Sequence, residues 1–204
     1  MKQVAKFISV VLHPLLLTTY LVIILSYYFP SMLMIRKENR MIIIGLVFVF
    51  TFVLPAVNLV MLRAFGTIQS LTLQSRKERI LPFVFISMFY VLFTFLFYFK
   101  LPFSANFEKL MMIVSALVVV SLLITLFYKI SIHSIAMGGG IGILLPLNQV
   151  TEQMSLLWPT AFTILATGLV MSSRLLLDAH TPREVMYGSV VGFVVGFFGM
   201  IILF

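Results

Sequence analysis

The chain has 204 residues, 62% hydrophobic and 10% charged, and its mean hydropathy of +1.17 lies far outside the range of soluble domains. A formal net charge of +8 points to anionic partners, and zero cysteines exclude disulfides and thiol chemistry. The basic residues are divided among short loops beside apolar runs, where acidic lipid headgroups would meet them; no soluble face is left to carry a nucleic-acid patch.

A helix needs about 20 mostly apolar residues to cross a hydrocarbon core of roughly 30 Å. Runs of that length fall at 7–29, 41–61, 81–99, 110–128, 131–149, 156–177 and 184–204. The expectation is an all-α polytopic transmembrane helix bundle of six to seven spans, forming one integral membrane domain over 1–204, in a bacterial inner membrane. The opening MKQVAKFISVVLHPLLLTTYLVIILSYYF begins like a signal peptide. Its apolar run is too long and lacks a small-residue cleavage site, so it reads as a retained helix. His13, followed by Pro14, reads as a kink in that helix with a satisfied polar group. Asn58 in the second span has no assigned role.

The connection at 62–80 ends in Arg76, Lys77, Glu78 and Arg79. Such a run is ordinarily a topology-setting charge cluster; functionally it would form one side of a phosphate clamp. The fifth span is short, rich in glycine and closes with a proline, and Gly138, Gly139 and Gly140 read as allowing close helix packing. Trp158, Tyr27 and Tyr28 fall near span ends, where aromatic rings anchor. If all seven runs cross, the loops at 62–80, 129–134 and 173–184 share one face with the N-terminus. That places Ser131, His133, Arg174, His180 and Glu184 at one end of the bundle with the RKER cluster.

Ser173 to Gly188, SRLLLDAHTPREVMYG, is the most informative stretch. His180 and Glu184 are four apart, so on a helix a carboxylate could fix the tautomer of the imidazole and raise its basicity. An equally good reading makes Thr181, Pro182 and Glu184 a capping box at a helix start. The two are compatible, since the new helix would aim free amides beside His180, where an anion binds well. Arg174 either snorkels or presents a fork of donors to a phosphate. No HExxH or paired-histidine pattern occurs and only six acidic residues are present, so no metal or other cofactor is expected.

These residues resemble the membrane branch of the type 2 phosphatidic acid phosphatase superfamily over about 76–188. The third motif of that family, Ser-Arg, five residues, His, three residues, Asp, with a glycine four further on, is matched in spacing by Ser173, Arg174, His180, Glu184 and Gly188, with glutamate replacing aspartate. Its Pro-Ser-Gly-His motif corresponds to Ile130, Ser131, Ile132 and His133, and its first motif, Lys, six residues, Arg-Pro, is approximated by RKERILP. The resemblance implies a phosphatase acting on a lipid phosphate or polyprenyl pyrophosphate. In it His180 would be the nucleophile forming a phosphohistidine, Glu184 would orient His180, and His133 would be the acid and base. Arg174, Arg79, Arg76 and Ser131 would hold phosphoryl oxygens. A catalytically impaired relative that binds anionic lipid or a membrane partner is the alternative. A transporter would place polar residues near midplane, whereas the ionisable residues here gather at span ends. Much of the excess basic charge on the N-terminal face is the proposed phosphate ligands, so the positive-inside rule leaves the face of the site open.

Overall fold

The computed structural model describes residues 1–70, 73, 75–100, 104–150 and 155–204. Every regular element among them is helical: α1 (Lys2–Val11), α2 (Pro14–Tyr28), α3 (Pro30–Leu33), α4 (Arg40–Phe48), α5 (Leu54–Ala64), α6 (Arg76–Lys100), α7 (Ala105–Phe127), α8 (Ile132–Val150), α9 (Leu157–Leu176) and α10 (Pro182–Leu203). A π-helical turn at Val49–Val53 joins α4 to α5, giving one 28-residue span from Lys37 to Ala64. Large apolar side chains face outward, among them Phe162, Leu165, Trp158 and Ile202. Such a surface is stable in lipid and not in water. The protein is a polytopic helical membrane protein.

Among the described residues five helices are long and apolar enough to cross a membrane, or six when α1 and α2 count as one bent span. The sequence reading of six to seven differs at two points. Residues 7–29 are not one helix: α1 and α2 meet at a 57° bend, because Pro14 lacks an amide and its ring excludes the chain from a continuous helix. Helix α8 is 19 residues long, and its glycines, His133 and Asn148 lower its hydropathy. It can be this polar because it packs among α2, α7, α9 and α10 and not mainly against lipid.

The closest packing in the bundle is between α8 and α10. A Cβ on Gly188, Gly192 or Gly196 would stand 2.7, 2.0 or 2.6 Å from the backbone oxygens of Ser131, Ile135 and Gly139. On the facing helix, Cβ atoms at Gly138 and Gly142 would stand 2.2 and 2.4 Å from the oxygens of Ser189 and Phe193. Two backbones touch along this seam, the arrangement that small residues spaced four apart allow. Of the three adjacent glycines, Gly138 meets α10, Gly139 meets the Leu117 side chain, and Gly140 has only ordinary contact with Thr163.

Candidate active site

The loops converge at the end of the bundle that holds the N-terminus. The Ser131 amide donates to the Glu184 carbonyl at 3.3 Å, which ties the start of α8 to the first turn of α10. Arg79, 5% exposed, donates through Nε to the Leu73 carbonyl at 2.7 Å and through Nη1 to the Ile130 carbonyl at 3.2 Å. It therefore joins the α5–α6 connection to the residue before Ser131. Lys2 meets Asp178 at 3.1 Å on the surface, a solvated pair worth little in stability.

The α9–α10 connection is tight. Helix α9 ends with Asp178 at a φ of 52°, a left-handed residue of the kind that closes helices and that aspartate tolerates. Two residues later His180 turns inward, 8% exposed. Thr181 then caps α10, accepting from the Glu184 amide at 3.4 Å, with Pro182 at the first helical position. The Oε2 of Glu184 accepts both the Thr181 amide at 3.4 Å and His180 Nδ1–H at 2.6 Å. Glu184 is thus at once a cap and the partner of a histidine.

A carboxylate can only accept, so the proton of neutral His180 sits on Nδ1 and its Nε2 carries the lone pair. Burial pushes the His180 pKa below its ordinary value. The Glu184 hydrogen bond opposes this, and the nearby charges of Arg79 and Arg174 push it further down. The side chain is held as a neutral base among guanidinium groups.

His180, His133, His13, Arg79 and Arg174 line one cavity of about 800 Å³. Arg174, in the last turn of α9, has a buried Nε with no hydrogen-bond partner among the described residues; a buried donor in that condition calls for an acceptor. Away from these residues the cavity wall is mainly apolar, broken by the hydroxyls of Thr18, Tyr90, Ser121 and Thr163. It follows α9 from Arg174 back to Trp158 and α2 from His13 to Tyr28, a length of roughly 24 Å at the rise of a helix. The arrangement is a cationic, histidine-bearing end on a long, mainly apolar cleft that opens outward beside Trp158 and Phe162. No family model, curated protein or solved structure matches this chain.

Two residues expected at a phosphate are turned elsewhere. Ser131 is fully buried, and its Oγ accepts from the Ser134 amide at 3.4 Å and from the Ser134 hydroxyl at 2.9 Å. It is the N-cap of α8 and not a wall of the cavity. Arg76 donates to the Leu126 carbonyl at the end of α7 and also lies off the cavity. Ser173, beside Arg174, bonds back to the Leu169 carbonyl at 2.7 Å within its own helix.

His13, expected to mark a kink and not to belong to the site, lines the cavity. His13 sits in the α1–α2 break as the N-cap of α2, its Nδ1 accepting from the Leu15 amide at 3.4 Å. The chain does kink here, by 57°, and the same ring stands edge-on to His133, with centroids 5.5 Å apart. His133 Nε2 lies 3.1 Å from the Ser9 carbonyl of α1 and donates to it. The usable signal was a His-Pro pair in an apolar run close to a lysine-bearing end. Among the described residues no group of His, Asp and Glu could hold a metal ion.

Proposed function

We propose that this protein is a membrane-embedded, metal-independent phosphohydrolase that cleaves a lipid phosphate or a polyprenyl pyrophosphate. The observation that carries the reading is one cavity with two kinds of wall: a neutral, carboxylate-bound histidine beside two arginines at one end, and mainly apolar side chains over the rest. A phosphorylated lipid has the same two parts.

The phosphoryl group sits against Arg79 and Arg174, whose charge offsets the negative charge of the transition state. The lone pair of His180 Nε2 forms a bond to phosphorus, and the bond from phosphorus to the lipid oxygen breaks. That oxygen takes a proton from His133 and departs as the alcohol, or as the polyprenyl monophosphate when the substrate is a pyrophosphate. Water then gives a proton back to His133 as its oxygen bonds to phosphorus. The P–N bond breaks, the electron pair returns to His180, and inorganic phosphate leaves. Glu184 holds the tautomer and stabilises the imidazolium character that develops on His180.

A second reading has one observation in its favour. Ile132 lines the cavity where the resembling family has glycine, and the Ser131 hydroxyl faces Ser134. A basic lipid-binding relative without turnover would tolerate both. Phosphate release from phosphatidic acid, phosphatidylglycerophosphate and undecaprenyl pyrophosphate, measured on protein purified in detergent with and without EDTA, separates the two. The enzyme reading expects release that persists in EDTA and is lost in His180→Ala. Absence of release from all three substrates sinks it.

A further inference from the structure

His133, in the first turn of α8, has its ring held by groups from outside its own helix. Its Nε2 donates to the Ser9 carbonyl of α1, and its ring meets the edge or face of His13 at an interplanar angle of 80°. Both partners come from the chain on either side of the 57° bend. A continuous first helix could not supply them in this way, since the bend is what sets α1 against α9 while α2 runs along the cavity.

We propose that the break between α1 and α2 is part of the catalytic apparatus, with the Ser9 carbonyl and the His13 ring positioning His133 as the acid and base. This rests on the phosphohydrolase reading. With Nε2–H committed to Ser9, His133 exchanges protons through Nδ1. The Ser9 carbonyl accepts from Nε2–H whether or not Nδ1 carries a proton, so the ring keeps one orientation as it gives a proton to the leaving oxygen and takes one from water. His13 blocks rotation of the ring away from the Ser9 bond. His13 is a positioning residue: it is not required to touch the reacting atoms.

The capping and positioning roles of His13 can be separated. His13→Asn keeps a side-chain acceptor for the Leu15 amide, because asparagine is among the best N-caps, but removes the ring. His13→Phe keeps a ring against His133 and loses the cap. Each is compared with wild type on a lipid phosphate, whose alkoxide must be protonated, and on p-nitrophenyl phosphate, whose leaving group needs no acid. The phosphohistidine on His180 is quantified after acid-free quenching.

The expected result is that His13→Asn slows lipid phosphate turnover on the order of 100-fold, the usual worth of a positioned acid or base. The first turnover on p-nitrophenyl phosphate should survive, and phosphohistidine should accumulate because water is no longer activated. His13→Phe should recover part of the loss. The proposal is overturned if His13→Asn turns over like wild type, which leaves His13 as a cap. It is equally overturned if both variants lose both substrates alike without accumulating phosphohistidine. Wild-type protein that releases no phosphate overturns the phosphohydrolase reading itself, and this proposal with it.

Discussion

His180, in the connection before the N-cap of α10 and not on the helix itself, is joined to Glu184 of its first turn by a 2.6 Å hydrogen bond, and the same carboxylate oxygen also receives the amide of Thr181. One side chain therefore starts a helix and fixes the proton of a buried imidazole. The two functions respond differently to loss of charge. Glu184→Gln retains the length to reach the Thr181 amide, so stability should fall by about 1 kcal/mol or less. Turnover should fall by orders of magnitude, since Gln neither stabilises an imidazolium nor selects the Nδ1–H tautomer unambiguously. Thermal unfolding and phosphate release on the same preparation measure both, and unimpaired release would reduce Glu184 to a cap.

The pH dependence follows from the sign of the His180 shift. The nucleophile is the neutral ring, and burial together with Arg79 and Arg174 lowers its pKa below the ordinary histidine value against the pull of Glu184. The active form thus survives as pH falls through the usual histidine range and is lost only below it. In Arg174→Gln one depressing charge is gone, so the acid limb of kcat/KM should move upward in pH while substrate binding weakens. A limb that stays in place would mean that His180 is not the group it reports.

Ser131 supplies a test in which the structure and the family resemblance diverge. As the N-cap of α8, bonded to Ser134, it should cost about 1 kcal/mol of stability when changed to Ala. Its effect on KM and kcat should be small. A loss of turnover near that of Arg174→Gln would return the hydroxyl to the phosphate.

The helices were legible because hydropathy reports them directly: the expected run at 184–204 appears as Pro182–Leu203 and that at 110–128 as Ala105–Phe127. Convergence of the loops was legible through parity along the chain. What parity cannot supply is rotation about a helix axis, and there the reading failed. Arg76 and Arg79 share a turn, yet one bonds to α7 and the other enters the cavity. Ser131 matched a motif by spacing, but a serine just before a helix is also an N-cap, and here local geometry used the hydroxyl first. His13 was lost for a related reason. A kink was expected, but its angle decides what meets His133, and no sequence period encodes an angle.

The α8–α10 seam predicts a sharp contrast between glycines. At Gly192 a methyl group would stand 2.0 Å from the Ile135 carbonyl, backbone that cannot rotate aside, whereas nothing lies within 4 Å of a methyl at Gly168. Gly192→Ala should destabilise the protein by about 2–3 kcal/mol, the upper range for overpacking. Gly168→Ala should be neutral or slightly stabilising through helix propensity. Melting temperatures in detergent decide this, and equal effects at both positions would remove the seam as a stability determinant.

That seam has a weakness built into its regularity. Gly188, Gly192 and Gly196 repeat every four residues, so sliding α10 by four residues, about 6 Å along its axis, would rebuild two of the three glycine contacts and bring Met200, now buried further along the helix, to the third. A ladder of identical rungs holds two rails together without saying which rung faces which. The register must be read elsewhere, at the polar end, where the Ser131 amide finds the Glu184 carbonyl. A hydrogen bond that helps assemble the candidate site is thus also the index mark of the fold, and the distance between His133 and His180 is set by the same bond that tells the two helices where to stop.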